Sequence, residues 1–356
     1  MEEEGFDALV FSRPSESRSI FYLTGVDRLC ANFILHKDGK STLLILEQDL
    51  LDADNIEYVD KVLTFNSARL QFELIANDFV EQGLDGGVIG IEKSFVHQNF
   101  FESLRNNIPS TFQIKDATTI AGKLRLIKSE EEIELIKKAS NIATKTMFAL
   151  SEIVKPGIKV NELAAIAEYE LRKNGAEETA TRTFIASGFG TMGAHPPVSS
   201  RRIQKEDIVF VDLHPRIKGY CSDLATTFSM VKVSPSILKK IKLIFDARIN
   251  TMQEIEVGDK ISTIHSRYFT KLKDLGLTLP AIPFFNNIHG IGVAANDPPS
   301  FWYPFDVEIK SRTVFAFSQS PINILLPTQL GIKFEDTYLV REERVERLTD
   351  FKHKIG

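Results

Sequence analysis

Cysteine is scarce in this chain: Cys30 and Cys221 are the only two among 356 residues, and they stand far apart. That excludes a disulfide framework and a Cys-rich zinc module. Histidine is scarce too, with seven. Any metal site must therefore rely on carboxylates and a histidine or two. Long apolar runs are missing, and none reaches the roughly 20 residues that span a bilayer. A basic and then apolar leader is missing, because the chain starts Met1-Glu2-Glu3-Glu4-Gly5. The chain accordingly reads as cytoplasmic, with reduced thiols and no membrane partner. Excess positive charge is missing as well: 43 Lys+Arg against 48 Asp+Glu give a formal charge of −5. A general phosphate-backbone binder needs the opposite balance, so nucleic acid is not an expected partner.

What is present is ordinary globular material, 43% hydrophobic and 26% charged. The length suits about two domains. Residues 1–120 alternate strand-like and helix-like stretches and read as a small α/β domain without a cluster of chemical residues. Asp7-Ala8-Leu9-Val10-Phe11-Ser12 is an apolar run suited to a buried strand. Phe33-Ile34-Leu35 and Leu43-Leu44-Ile45-Leu46 flank Asp38-Gly39, a hairpin signal. Val88-Ile89-Gly90-Ile91 is a further strand. A boundary falls near 117–128, and residues 121–356 form the second domain.

Ser129-Glu130-Glu131-Glu132 is a capping box that opens a helix, with Ile133, Ile136, Ala139, Ala143, Met147 and Leu150 at helical spacing. A second helix runs from Asn161 to Asn174-Gly175. Strands are expected at 183–186, 208–213, 226–230, 313–318 and 334–340, and helices near 235–256 and 261–274. Gly188-Phe189-Gly190-Thr191-Met192-Gly193 imitates a dinucleotide fingerprint. That motif needs a helix start aimed at the pyrophosphate. His195-Pro196-Pro197 follows instead, so a flexible loop is expected and not a cofactor site.

The chemistry lies in the second half. Asp212 ends an apolar strand, and Asp223 follows a Lys218-Gly219-Tyr220 turn. A hairpin of that kind can bring both carboxylates to one point. His289 sits among glycines in Asn287-Ile288-His289-Gly290-Ile291-Gly292. Glu335 stands inside a strand-like segment, where a charge needs a reason. Two Asp, one His and one Glu suit Mn, Co, Fe or Zn.

The order Asp212, Asp223, His289, Glu335 resembles the pita-bread metallopeptidases, the group that holds methionine aminopeptidase, aminopeptidase P and prolidase. The words Phe210-Val211-Asp212-Leu213, Gly219-Tyr220-Cys221-Ser222-Asp223, His289-Gly290-Ile291-Gly292 and Phe334-Glu335-Asp336-Thr337 carry the resemblance. Leu126-Ile127-Lys128-Ser129-Glu130-Glu131-Glu132-Ile133 resembles the opening helix of the catalytic domain in the prolidase and aminopeptidase P branch. Gly5-Phe6-Asp7-Ala8-Leu9-Val10 and Phe21-Tyr22-Leu23-Thr24-Gly25 resemble that branch's N-terminal domain. The implied fold is α/β (α+β): a creatinase-like N-terminal domain followed by a pita-bread domain.

The resemblance also implies a site. Asp212 would chelate one divalent metal, Asp223 and Glu335 would bridge two, and His289 would hold the second. His195 aligns with a loop histidine that assists substrate binding. Such an enzyme is an Xaa-Pro dipeptidase acting on short proline-containing peptides, and a homodimer. Five positions depart from the pattern, two of them Ala225, where a hydroxyl is common, and Thr226, where an arginine is common. Ser318 stands where a ligand glutamate belongs, Asn296 where a second histidine is expected, and Lys333 where an arginine is usual. Lys333 lacks the bidentate fork of arginine. The departures leave three readings open: a metallohydrolase with one or two ions, a degenerate member that binds a peptide without hydrolysis, and a metal-free C–N hydrolase of the creatinase type. His214 lies two residues beyond Asp212, on the same strand face, and is either a replacement ligand or a surface or packing histidine.

Overall fold

The computed structural model describes residues 1–12, 17–27, 30–50, 56, 58–277, 287–300, 306–322, 331–353 and 355. The chain divides into two compact units, Met1–Leu124 and Arg125–Gly356.

The first unit is built on a mixed sheet of β1 (Ala8–Ser12), β2 (Ala31–His36), β3 (Ser41–Leu46), β4 (Lys61–Phe65), β5 (Gly87–Ile91) and β6 (Phe112–Asp116), in the order β4-β3-β2-β1-β5-β6. Strands β2 and β3 pair as the expected hairpin, with Gly39 at φ 91 in the turn. The inner strands are apolar without alternation because both faces are covered. Ala8, Val10, Ile34 and Leu44 pack with Phe72, Ile75 and Phe79 of α2 (Ala68–Glu81). Leu9, Phe11, Phe33 and Leu43 pack instead with Ile20 of α1 (Ser19–Thr24) and with Ala121 on the opposite face. This unit does contain a buried polar cluster that local sequence does not disclose. His36 Nε2 lies 2.7 Å from Asp78 Oδ2, and Thr42 Oγ1 donates to Asp78 Oδ1 at 2.6 Å. The cluster ties α2 to the hairpin.

In the second unit the capping box is present as expected. Ser129 Oγ accepts from Glu132 N at 3.2 Å, and Glu132 Oε2 accepts from Ser129 N at 2.6 Å. It starts α3 (Glu130–Ile153), which buries Ile133, Ile136, Ala139, Ala143, Met147 and Leu150. Helix α4 (Val160–Lys173) packs with it around Leu163, Ala167 and Leu171. The strands are β7 (Glu178–Thr179), β8 (Phe184–Ser187), β9 (Ile208–Leu213), β10 (Pro215–Ile217), β11 (Tyr220–Cys221), β12 (Leu224–Ser229), β13 (Ile288–Gly290), β14 (Val314–Ile322), β15 (Ile332–Val340) and β16 (Val345–Arg347). The main sheet runs β13-β14-β15-β12-β9-β8, with β16 paired to β15. Helices α5 (Pro235–Gln253) and α6 (Ile261–Asp274) pack through Ile244, Ala247, Ile264 and Tyr268 against Phe315 and Phe317 of β14. The glycine-rich segment is a 3-10 turn, Gly188–Met192, so the decoy forms a defined turn and no α-helix begins there.

Strand β15 positions the chemistry. All nine of its residues are buried. Side chains alternate across a strand, so Lys333 and Glu335 share one face while Phe334, Asp336 and Tyr338 share the other. Asp336 accepts from Arg248 Nη2 at 2.8 Å, Arg347 Nε at 2.9 Å and Thr349 Oγ1 at 2.7 Å, and lies 3.0 Å from His353 Nε2. This knot fastens α5 and the C-terminal segment to the sheet. Burial opposes ionisation of Asp336, but His353 and Arg248 outweigh it and hold the carboxyl well below the usual range. Removing one partner of a buried ion pair typically costs about 3–5 kcal/mol. Asp336→Asn is therefore expected to lose about that much in urea unfolding. A depressed folded pKa gives stability that is complete above the unfolded value and lost as pH falls below it. Between about pH 5 and pH 2 wild type should weaken more steeply than the Asn variant; equal slopes would contradict this.

Candidate functional site

Backbone register assembles the site. Strands β9 and β12 pair antiparallel with Leu213 opposite Leu224, so His214, one residue after Leu213, and Asp223, one before Leu224, come face to face. The Lys218-Gly219 turn that closes this path has both residues at positive φ, 45 and 82. Glu335 on β15 is opposite Ala225 of β12 on one side and Ser318 of β14 on the other. His289 on β13 pairs with Ala316 of β14. The glycines beside His289 are required by close approach. A Cβ on Gly290 would lie 2.1 Å from Pro298 O, and one on Gly292 would lie 2.1 Å from Asp297 Oδ2.

A hydroxyl chain fixes Asp223. Its N–H donates to Thr337 Oγ1 at 3.0 Å, and Thr337 Oγ1 donates back to Asp223 O at 2.9 Å. Ser222 Oγ lies 3.1 Å from Thr337 Oγ1, and Ser140 Oγ lies 2.9 Å from Ser222 Oγ. Helix α3 thereby reaches the site through Ser140.

Six buried side chains form a closed ring in which acids and bases alternate. Lys333 Nζ pairs with Asp212 Oδ2 and lies 3.4 Å from Glu335 Oε2. Glu335 Oε1 lies 3.1 Å from His289 Nε2, which is 3.9 Å from Asp223 Oδ2. Asp223 Oδ2 is 3.2 Å from His214 Nε2, which returns to Asp212 Oδ1 at 3.3 Å. His214 Nδ1 faces Thr181 Oγ1 at 2.9 Å. Both nitrogens of His289 face acceptors, Glu335 Oε1 and, at 3.4 Å, Gly290 O.

The ring sets its own ionisation. Burial opposes the His214 imidazolium, yet Asp223 and Asp212 prevail and push its pKa up to about 9. The same contest, with Asp212 and Glu335 prevailing over burial, holds the Lys333 ammonium above its ordinary value. His289 is raised against burial by its hydrogen bond to Glu335. Glu335 is buried, but Lys333 and His289 keep it well below the usual carboxylate range. Asp223 moves the other way, to about 6, because burial and the neighbouring Glu335 both disfavour its charge.

The sequence candidates separate into three groups. Asp212, Asp223, His289 and Glu335 come together, and Lys333 and His214 join them inside the ring. His214 is 5% exposed, so it is neither a surface histidine nor packing filler. Ser318 is buried beside Glu335 in register. His195 is exposed and touches the ring indirectly, through Phe184: the His195 and Phe184 rings lie 4.9 Å apart, and Phe184 meets His214 at 5.8 Å. Asn296 is exposed, and its carbonyl accepts from Ser300 Oγ at 3.2 Å. The sequence reading omitted Thr181, Phe184 and Arg182. The exposed Arg182 guanidinium lies over the Phe184 ring at 5.2 Å, and its Nη2 donates to His195 O at 3.4 Å. Arg182 stands immediately before an expected strand, which was the only available signal.

With this geometry in place, the comparisons with known proteins are specific. Residues 134–342 match metallopeptidase family M24, and residues 1–127 match the creatinase/prolidase N-terminal domain. The Xaa-Pro dipeptidase of Pyrococcus horikoshii is 26% identical over 361 aligned residues, covering 100% of this chain and 96% of its own. The Xaa-Pro dipeptidase of Pyrococcus furiosus is likewise 26% identical, with 97% of its own length covered. Among solved structures, prolidase from Pyrococcus furiosus superposes with a TM-score of 0.84 at 24% identity, covering 99% of both chains. Xaa-Pro dipeptidase from Bacillus anthracis gives 0.86 at 20% identity, covering 99% of this chain and 96% of that one. The chain belongs to metallopeptidase family M24, in its prolidase branch, with a creatinase-type N-terminal domain ahead of the pita-bread domain.

The family implies a divalent metal, and among the described residues two sets of side chains are close enough to hold one: Asp212, His214 and Asp223, and Asp223, His289 and Glu335. The donor chemistry fits a pair of ions poorly. The Lys333 ammonium, with three donors and no lone pair, already binds Asp212 and Glu335. A divalent ion on those carboxylates would face that like charge at contact distance. Lys333→Met would leave Asp212 and Glu335 buried without their cation. It is expected to cost about 3–5 kcal/mol in urea unfolding, and Lys333→Arg clearly less. A loss under about 1 kcal/mol for Lys333→Met would show that the ammonium is not holding the carboxylates.

Proposed function

We propose that this chain takes short proline-containing peptides in a prolidase-type pocket and holds them without two-metal hydrolysis. The Xaa-Pro dipeptidases among its relatives supply the ligand class. The observation that carries the second half of the reading is the position of Lys333 within the carboxylate set. Where a hydrolytic pair of ions would take Asp212 and Glu335 as ligands, this chain places its own ammonium.

The rim supplies the means of binding. A free dipeptide ends in a carboxylate, which a guanidinium fork grips with two parallel hydrogen bonds. Lys333 is committed internally and does not serve that role. Arg182 is exposed, braced by Phe184, and adjacent to His195. In this reading Arg182 takes the carboxylate. His195 hydrogen-bonds the peptide backbone, and the buried Phe184 ring backs both His195 and Arg182. Partial burial and the nearby Lys333 lower the His195 pKa, so near neutral pH the imidazole is largely uncharged and both donates and accepts.

A second reading has one specific observation in its favour. Asp223 Oδ1 is buried and accepts no hydrogen bond. A single Mn, Co, Fe or Zn ion at Asp223, His289 and Glu335 would satisfy it and could support hydrolysis at one metal.

Calorimetric titration with an Xaa-Pro dipeptide tests the binding reading. Saturable binding is expected, with Arg182→Ala weakening it about tenfold or more. The same variant should leave a C-terminally amidated peptide unaffected. Equal losses for both peptides would contradict the role of Arg182. Hydrolysis assayed with added Mn or Co should not exceed the protein-free background. Metal-dependent turnover that His289→Ala removes would favour the second reading.

A further inference from the structure

Three observations in the ring bear on its relation to metal. First, the ring is balanced in number: three carboxylates, Asp212, Asp223 and Glu335, against three nitrogen bases, His214, His289 and Lys333, each acid lying between two bases. Second, two of the bases lie on the same extended segments as the acids, Lys333 within β15 and His214 just past the end of β9. Lys333 stands two residues before Glu335 and His214 two after Asp212, so alternation brings each cation to the same face as its acid. Third, Ser318 sits opposite Glu335 in register. A carboxylate there would add a fourth buried negative charge, and the count of bases would no longer match. The serine and the lysine are thus complementary changes in one electrostatic arrangement.

We propose that the Lys333 ammonium stands in for a bound ion between Asp212 and Glu335, with the His214 ring seated between Asp212 and Asp223, so that the site is complete without a divalent metal. A set of buried carboxylates needs compensating positive charge, because uncompensated charge in a poorly solvated interior is costly. Ions normally supply that charge at the expense of being lost to chelators. Here the peptide chain supplies it covalently. An ion entering between Asp212 and Glu335 has to expel an ammonium that is 2% exposed. An ion entering between Asp212 and Asp223 has to displace the His214 ring, whose Nε2 lies 3.3 Å from Asp212 Oδ1 and 3.2 Å from Asp223 Oδ2. The inference concerns the ring residues alone and does not depend on the peptide reading.

The test is metal binding by wild-type protein and by the double variant Lys333→Met with Ser318→Glu, which removes one cation and adds one carboxylate. Titration calorimetry with Mn²⁺ and Co²⁺ gives the affinity, and thermal melts with and without EDTA give an independent readout. Wild type is expected to show no saturable binding tighter than about 1 mM and no change of melting temperature with either ion or with EDTA. The double variant should bind Mn²⁺ at least about 100-fold more tightly than wild type and melt higher in its presence. Wild-type uptake of one or two equivalents with a Kd below about 10 µM overturns the proposal. So does a double variant with native near-ultraviolet circular dichroism and no gain in affinity. If the double variant does not fold, the wild-type titration and melts decide the question alone. Wild type that binds neither metal nor peptide would sink the peptide reading and leave this one standing. Wild type that binds both would do the reverse.

Discussion

The second unit is organised around the need to neutralise buried carboxylates. Asp212, Asp223 and Glu335 are each at most 2% exposed. Charges in that setting persist only with partners at contact distance, since the interior screens them poorly. The ring of Lys333, His214 and His289 meets that need with side chains alone. Its geometry follows from strand register: β9 against β12 brings His214 to Asp223, and β15 carries Lys333 and Glu335 on one face.

The same strand repeats the solution on its other face. Asp336 lies next to Glu335 in sequence but points away from it, into Arg248, Arg347 and His353. Two adjacent acids are thus neutralised by separate cation sets on opposite sides of one strand. The inner set holds the candidate site, and the outer set ties α5 and the C-terminal segment to it. Between them, the Ser140, Ser222 and Thr337 hydroxyls hold Asp223 to the strand and to α3. The acids of the site are thus held by hydrogen bonds and ion pairs, while Arg182 and His195 at its edge are exposed.

Much of this was legible in the sequence because it is local. The Ser129 capping box, the Asp38-Gly39 hairpin, the apolar run at 208–213 and the strand-like stretch at 334–340 each encode an element within a few residues. Asp212, Asp223, His289 and Glu335 could be singled out because acids and a histidine inside strand-like words need a reason. The positions that differ from the family pattern, Ser318 and Lys333, were visible as departures. Their joint meaning was not, because it depends on which atoms meet. The sequence shows Lys333 as a weakened arginine, whereas the fold turns its ammonium inward onto Asp212. His214 left two readings open from spacing alone, and only the β9–β12 register shows its ring between two carboxylates. Arg182, Phe184 and Thr181 offered only their place in or beside an expected strand, since they gain importance by lying beside His195 and His214. The His36–Asp78 pair escaped notice for the same reason, being separated by the length of the first unit's hairpin and helix.

The central claim is that an ammonium of the chain occupies the place between Asp212 and Glu335 where the family would hold an ion. Anomalous diffraction from crystals grown in millimolar Mn²⁺ tests it most directly. The account predicts Lys333 Nζ density within contact of both carboxylates and no manganese peak between them. Two manganese peaks flanked by Asp212, Asp223 and Glu335, with the Lys333 side chain displaced, would contradict it.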